Sequence, residues 1–241
     1  MSARPTTHHY TLDHNVFAGR AGRGVRVAIV DSGVALDHPH VGAVAVRVRI
    51  AAGVHTDDVL DRLGHGTAVA AAIREKAPEC ELLSVKVFDR SLTTNAETLA
   101  EGIAWAADHG ARLINLSLGT PNQEREASLH AAVALAALRG AIVVSAAEAE
   151  SVRWLPGSIP GVAGVLVDWD CERSALAVEF GVDGPERFHA SAYPRPIPGV
   201  PRERNVSGVS FAVANVTGFL ARLLEADTAA TTLQNIGRLL A

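Results

Sequence analysis

Three polar residues in separate short motifs carry the side chains that acyl transfer requires. Asp31 lies in AIVDSG, His65 lies in GHGT, and Ser210 lies in SGVSFA. A serine nucleophile needs a base that accepts its proton, and the base needs a carboxylate that fixes its tautomer. These groups need to meet only in space, so they can come from distant parts of a chain. The pattern predicts a catalytic triad of Asp31, His65 and Ser210.

Each motif also has a purely structural interpretation. Asp and Ser cap backbone amides and Gly accepts positive φ, so the Asp31 motif alone is often only a turn. His65 can simply begin a helix, and Ser210 can simply cap one. The other histidines outside the motifs show no ligand-like spacing, so we predict no metal site. These histidines are His8, His9, His14, His40, His55, His109, His130 and His189.

The elements that must position the triad alternate between strand and helix. The apolar run 25–30 predicts a strand that ends at Asp31, while 64–75 and 207–225 read as helices that begin near His65 and Ser210. Between them, strands are predicted at 81–88, 112–118, 141–145 and 162–167, and helices at 96–109 and 124–139.

This alternation predicts one α/β domain with a mostly parallel central sheet covered by helices on both faces. Ligand sites in such sheets lie beyond the carboxyl ends of the strands, where Asp31 is expected. We divide the 241 residues into an N-terminal extension (1–24), a catalytic domain (25–227) and a weakly amphipathic tail (228–241). The proline-rich segment 170–204 is predicted to be irregular.

Composition excludes several partners. With 22 Lys and Arg against 26 Asp and Glu, the chain lacks the basic surface that binds a phosphate backbone. No signal peptide or membrane span is expected, because Arg139 and Gly140 interrupt the most apolar stretch. Cys80 and Cys171 are expected to be reduced thiols, although one disulfide remains possible. These features favour a cytoplasmic protein with no nucleic-acid or membrane partner; the oligomeric state is unknown.

Taken together and in the order Asp, His, Ser, the motifs resemble the subtilase family (peptidase family S8) of serine peptidases. DHP at 37–39, VKV at 85–87 and NLSLG at 115–119 extend the resemblance. It implies a three-layer subtilisin-like fold, serine endopeptidase activity on a peptide or protein substrate, and no cofactor. Substrate would bind along Leu116, Ser117, Leu118 and Gly119, with Gly119 leaving room for it, and beside Ala146 and Ala147. Independently, placing Ser210 at the start of a helix would direct its backbone amide towards the developing oxyanion, so one oxyanion donor is expected to be the Ser210 backbone.

The sequence departs from the family pattern at the oxyanion hole. Subtilases place an Asn after Ala-Ala-Gly to donate the second oxyanion hydrogen bond, but here Ala149 occupies that position between Glu148 and Glu150. Losing such a donor costs about 10²–10³ in turnover. A protonated glutamate could replace the donor if burial kept it neutral, or Asn122 could move in. The acidic rim could also favour basic substrate residues.

Two further departures from the family pattern concern the N-terminal segment and the loop after the predicted His65 helix. Residues 1–24 are too few for the folding prodomain of secreted subtilases, and the loop 74–81 is too short for their calcium-binding insertion. We therefore expect neither feature.

Three functions remain open. The first is a slow or narrowly specific endopeptidase, for example one that matures a dedicated precursor peptide. The second is a peptide-binding or scaffold protein that has lost useful turnover. The third is peptide ligation or cyclisation, in which an amine replaces water at the same acyl-enzyme.

Overall fold

A computed structural model describes residues 5–227 and 229–241, and one large sheet dominates it. The strands are β1 (Thr6–Thr11), β2 (Arg26–Asp31), β3 (Val44–Ala51), β4 (Val54–Thr56), β5 (Glu81–Lys86), β6 (Leu113–Leu116), β7 (Ile142–Ala146), β8 (Glu148–Ala149), β9 (Val152–Arg153), β10 (Ala163–Asp168), β11 (Ala175–Gly181) and β12 (Gly184–Ser191). The α-helices are α1 (His65–Lys76), α2 (Ala96–Asp108), α3 (Glu126–Leu138), α4 (Val209–Leu224) and α5 (Leu233–Leu240).

The large sheet has ten strands in the order β1-β11-β12-β10-β7-β6-β2-β5-β3-β4. Neighbouring strands are parallel from β12 across to β3, and the pairs β1/β11, β11/β12 and β3/β4 towards the two edges are antiparallel. The chain order reverses between β2 and β6. The carboxyl ends of these two strands therefore border a crevice of the kind in which open α/β sheets bind ligands.

Helices cover both faces of the sheet, as predicted. Along β2, Val27 and Ile29 pack into the core that includes α1, α4 and α5, whereas Ala28 and Val30 pack into the core that includes α2 and α3. Successive side chains of a strand point to opposite faces, so a continuous apolar run is what a strand buried on both sides requires. The α/β three-layer fold is confirmed.

The prediction that residues 170–204 are irregular is wrong in its first part. This segment contains β11 and β12, which form an antiparallel hairpin with β12 next to β10. Pro185 and Gly184 at the start of β12, and polar residues along its length, hid the strand pattern. Proline is tolerated at the first positions of a strand, so it did not exclude this one.

Both ends of the described chain contact the core. Residues Thr6–Thr11 extend the sheet by pairing with β11, and Phe17 is completely buried. At the other end, Ile236 and Leu240 of α5 are buried in the same core. The division at residues 24 and 227 stays a prediction, and Thr228 at the start of the predicted tail lies outside the described residues.

The two cysteines do not pair with each other. Cys80 is buried, which raises the pKa of its thiol to about 11, and Cys171 is partly buried. Among the described residues, no helix is both long and apolar enough to cross a membrane.

Candidate active site

Asp31 and His65 are joined directly. Asp31 ends β2, His65 begins α1, and His65 Nδ1 lies 2.8 Å from Asp31 Oδ1. Oδ1 also accepts a hydrogen bond of 2.7 Å from the Ser32 amide. Asp31 is fully buried, and its Oδ2 has no hydrogen-bond partner among the described residues. An ionised Asp31 can only accept, so Nδ1 donates and Nε2 is left as the basic nitrogen.

Glycine allows α1 to approach the end of β2 this closely. A Cβ on Gly66 would lie 2.2 Å from the Gly33 carbonyl oxygen and 3.2 Å from Asp31 Cβ. No side chain fits at that separation. The GHGT motif therefore has a steric requirement that is separate from the chemistry of its histidine.

Two opposing effects determine the charge of His65. Burial lowers the pKa of its imidazole. The hydrogen bond to Asp31 and the negative charges of Asp31 and Asp61 raise the pKa, and together they outweigh the effect of burial. The net result is a pKa above the ordinary value of 6.5. The site therefore stabilises the cationic imidazole that forms when the ring takes a proton.

Ser210 lies in the first turn of α4, and the residue that follows it, Phe211, has its ring near the imidazole of His65. Ser210 is buried, and the rings of His65 and Phe211 are 5.9 Å apart. Ser210 Oγ donates a 3.0 Å hydrogen bond to the Ser117 carbonyl oxygen, and no hydrogen bond joins it to His65 among the described residues. The Ser210 hydroxyl is therefore directed towards the Ser117 carbonyl in this structure. Hydrogen bonds between catalytic groups often form only when substrate is bound, so this geometry does not exclude a pairing of Ser210 with His65.

A buried polar chain fixes α4 against β6. Thr217 Oγ1 donates to Asn115 Oδ1 (2.9 Å), Asn115 Nδ2 donates to Ser117 Oγ (2.8 Å), and Ser117 Oγ donates to the Ser210 carbonyl oxygen (3.1 Å). Sequence reasoning placed Asn115 in a family motif but missed Thr217. A polar residue within an apolar helix was the available signal, because a buried hydroxyl needs a partner.

The predicted substrate-binding residues lie at the carboxyl ends of β6 and β7. Leu116 and Ser117 are fully buried, and Leu118 packs on the core between them and Gly119. A Cβ on Gly119 would lie 2.4 Å from the Leu155 carbonyl oxygen, so close packing of the chain already requires glycine there, independently of any substrate.

The second predicted wall, Ala146 and Ala147, is buried. The Ala147 amide donates to the Val165 carbonyl oxygen and its own carbonyl accepts from the Trp154 amide, each at 2.9 Å. Both backbone groups of Ala147 are therefore engaged within the chain.

The segment expected to supply the second oxyanion donor forms a small hairpin. Ala149 lies in β8 opposite Val152 of β9, and Glu148 and Glu150 are exposed. Ala149 and both glutamates line a cavity of about 820 Å³ that also touches Gly208 and Val209, immediately before Ser210. Neither glutamate has an ion-pair partner in the described chain. Because both are exposed, the burial that a neutral glutamate donor would need is missing.

The side chain of Asn122, the other suggested donor, is held by a cap interaction in this structure, and its role as a donor stays a prediction. Its Oδ1 accepts a 3.0 Å hydrogen bond from the Glu124 amide, and it caps a short 3₁₀ helix at Gln123–Arg125. Within the described residues, no group of three or more His, Cys, Asp or Glu side chains could hold a metal ion.

Comparison with known proteins agrees with this fold. The sequence model of the Subtilase family matches residues 22–165. Subtilisin Savinase of Lederbergia lenta is 35% identical over 137 residues, which cover 53% of this chain and 49% of Savinase, so the chain spans about half the length of that relative.

Solved structures are similar over most of the chain. A cold adapted subtilisin-like serine proteinase has a TM-score of 0.71 and 25% identity, covering 91% of this chain and 82% of that protein. The prenylagaramide maturation protease PagA has a TM-score of 0.64 and 24% identity, covering 89% and 81%. Since the family match extends over more than half of the sequence, the chain belongs to the subtilase family.

Proposed function

We propose that this chain is a serine endopeptidase in which Ser210 is the nucleophile, His65 the general base and acid, and Asp31 the residue that orients His65. The observation that carries the proposal is the 2.8 Å contact between His65 Nδ1 and Asp31 Oδ1. Ser210 lies at the start of α4, where its neighbour Phe211 packs near the imidazole. Membership of the subtilase family supports the proposal. A binding-only groove would have no chemical use for this pair.

In the first half of the reaction, Ser210 Oγ attacks the carbonyl carbon of a peptide bond while its proton passes to His65 Nε2. The carbonyl electron pair moves to oxygen and forms the oxyanion. When that pair returns, the C–N bond breaks, and the departing amine takes the proton from His65. The product is an ester between Ser210 and the acyl part of the substrate.

In the second half, water attacks the ester and gives a proton to His65 Nε2. The C–O bond to the serine breaks, and Ser210 Oγ recovers the proton from His65. Asp31 keeps its charge throughout and stabilises the imidazolium that exists between the two transfers.

The oxyanion would be held by fewer donors than usual. Amides in the first turn of a helix have no partner within it, and Ser210 is the second residue of α4, so its amide can donate to the developing charge. Ala149 offers no side-chain donor. We therefore propose an enzyme that is slow or restricted to a well-fitting substrate. The likeness in fold to the maturation protease PagA makes maturation of a dedicated precursor the specific version to test.

The test is cleavage of a proteome-derived peptide library, with new termini identified by mass spectrometry. Wild-type protein should cut a narrow set of sequences, and Ser210→Ala and His65→Ala should cut none. Ser207→Ala, which removes an exposed serine from the same motif, should leave the cleavage pattern unchanged. Cleavage that persists in Ser210→Ala would refute the assignment of the nucleophile.

A further inference from the structure

The carboxylate of Asp61 lies immediately before α1 and accepts hydrogen bonds at both oxygens. Oδ1 accepts from the amides of Gly64 (2.8 Å) and Leu63 (3.1 Å) and from Ser32 Oγ (2.9 Å). Oδ2 accepts from the amide of Thr67 (2.9 Å) and from its hydroxyl (2.6 Å). Amides at the start of a helix lack partners within the helix, and Asp61 satisfies one of them, that of Thr67, together with the amides of the two residues that precede α1.

The same hydrogen bonds join α1 to the loop that follows β2. Ser32 Oγ, which donates to Asp61, also accepts from the Gly66 amide at 3.0 Å. Thr67 Oγ1, which likewise donates to Asp61, accepts from the Ala35 amide at 3.0 Å. Asp61 is therefore the common acceptor that fixes the first turn of the histidine helix against the end of the aspartate strand.

We infer that Asp61 is a positioning residue for His65, holding the start of α1 so that the imidazole faces Asp31 and adding a second negative charge near the ring. The inference rests on the proposed function, since positioning matters only if His65 is the base. No contact of Asp61 with the imidazole is needed, because it acts through the backbone on either side of His65. A misplacement of about 1 Å at such a site can cost around 10²-fold in rate.

The charges that act on His65 are few. Asp31 from β2 and Asp61 from the preceding loop both raise the pKa of the imidazole against the effect of burial. The ring that packs on it from α4 is Phe211, which carries no charge. Removal of the Asp61 charge should therefore shift the His65 titration to lower pH.

The direct test is Asp61→Asn. This substitution keeps the shape of the side chain but removes its charge, and it replaces one of the two acceptor oxygens by an NH2 group that faces hydrogen-bond donors. His65 is titrated by NMR, and the rate of Ser210 labelling by a fluorophosphonate is followed against pH. We expect a lower His65 titration point and a labelling rate that falls by roughly 10-fold. The matched control is Asp58→Asn, three residues away, whose carboxylate pairs with Arg49 and Arg62 and should change neither readout.

An unchanged His65 titration in Asp61→Asn, or an equal shift in Asp58→Asn, would overturn the inference. If Asp61→Asn does not fold, Ser32→Ala decides instead, because it removes the linking hydroxyl without altering charge. It should slow labelling about threefold or more, and an unchanged rate would count against positioning. Because the NMR titration needs no activity, failure of the peptidase proposal remains distinguishable from failure of this one.

Discussion

The two regions near Ser210, the Asp31–His65 pair and the β8/β9 hairpin, differ in how many of the expected catalytic hydrogen-bonding groups they supply. On the side of Asp31 and His65, the imidazole is hydrogen-bonded to a buried carboxylate, and Asp61 accepts a hydrogen bond from the Thr67 amide in the first turn of the helix that carries His65. On the side of the β8/β9 hairpin, Ala149 has no donor and the neighbouring glutamates are exposed and unpaired in the described chain.

This difference separates two contributions to catalysis. In the proposed mechanism, proton transfer depends on Asp31 and His65, whereas stabilisation of the oxyanion depends on donors placed where the charge develops. The chain retains the first arrangement and has only part of the second. The missing oxyanion donor would weaken stabilisation of the transition state. We therefore expect the same sequence of acylation steps at a lower rate.

The largest expected effect comes from a change in the Asp31–His65 pair. Asp31→Asn keeps the shape of the buried side chain but lets its amide face His65 Nδ1, which favours the wrong tautomer. Cleavage or labelling should fall by about 10⁴-fold. Rates measured on folded protein would check this, and a loss below about tenfold would show that Asp31 does not orient the base.

The next largest effect should come from adding an oxyanion donor to the β8/β9 hairpin. Ala149→Asn supplies a side-chain amide beside the cavity next to Ser210 and should raise turnover by about 10- to 100-fold, part of what one oxyanion donor is worth. Val152→Asn, on the facing strand of the same hairpin, is the matched control and should have little effect. Equal turnover in wild type and Ala149→Asn would mean that the oxyanion is already satisfied.

A smaller effect is expected from the acidic charges of the hairpin. Replacing Glu148 and Glu150 by Gln should raise turnover about two- to fivefold at low salt, because exposed negative charges near the site oppose the oxyanion and are screened by salt. The gain should vanish near 1 M salt. Glu81→Gln, at the opposite end of the sheet, provides the control; a loss of turnover in the double variant would instead indicate that a glutamate donates or binds substrate.

The smallest effect concerns stability. The folded-state pKa of His65 is raised above 6.5, so the stability it contributes is fully present below pH 6.5 and is lost as pH rises through the folded value. In the Ser210→Ala background, Tm should decline slightly over that range. The decline should be absent when His65→Gln is added, and a parallel decline in both proteins would assign it to other groups.

Much of the fold could be predicted because the central strands are buried on both faces and therefore read as continuous apolar runs. Strands β2 and β7 show this character most clearly. Strand β5 is buried but includes Ser84 and Lys86, and β10 is apolar but only partly buried in its second half. The hairpin β11/β12 was missed because its strands lie towards an edge, carry polar residues and include Pro185. The pairing of Thr6–Thr11 with β11 is a long-range contact that no local pattern indicates.

The site shows the same division. The side chains of Asp31, His65 and Ser210 were predicted from motif and order, and the structure brings Asp31 and His65 into contact. The rotamer of Ser210, bonded to Ser117, depends on packing between α4 and β6 and had no sequence signal. Asp61 did have one, since an acidic residue shortly before a helix is a common capping signal.

The most direct test of this account is intact-mass detection of Ser210 labelling by a fluorophosphonate probe. We predict one adduct on the wild-type protein, none on Ser210→Ala and strongly slowed labelling of His65→Ala. Folded wild-type protein that stays unlabelled, or an adduct that persists in Ser210→Ala, would contradict the claim that Ser210 is a nucleophile activated by His65.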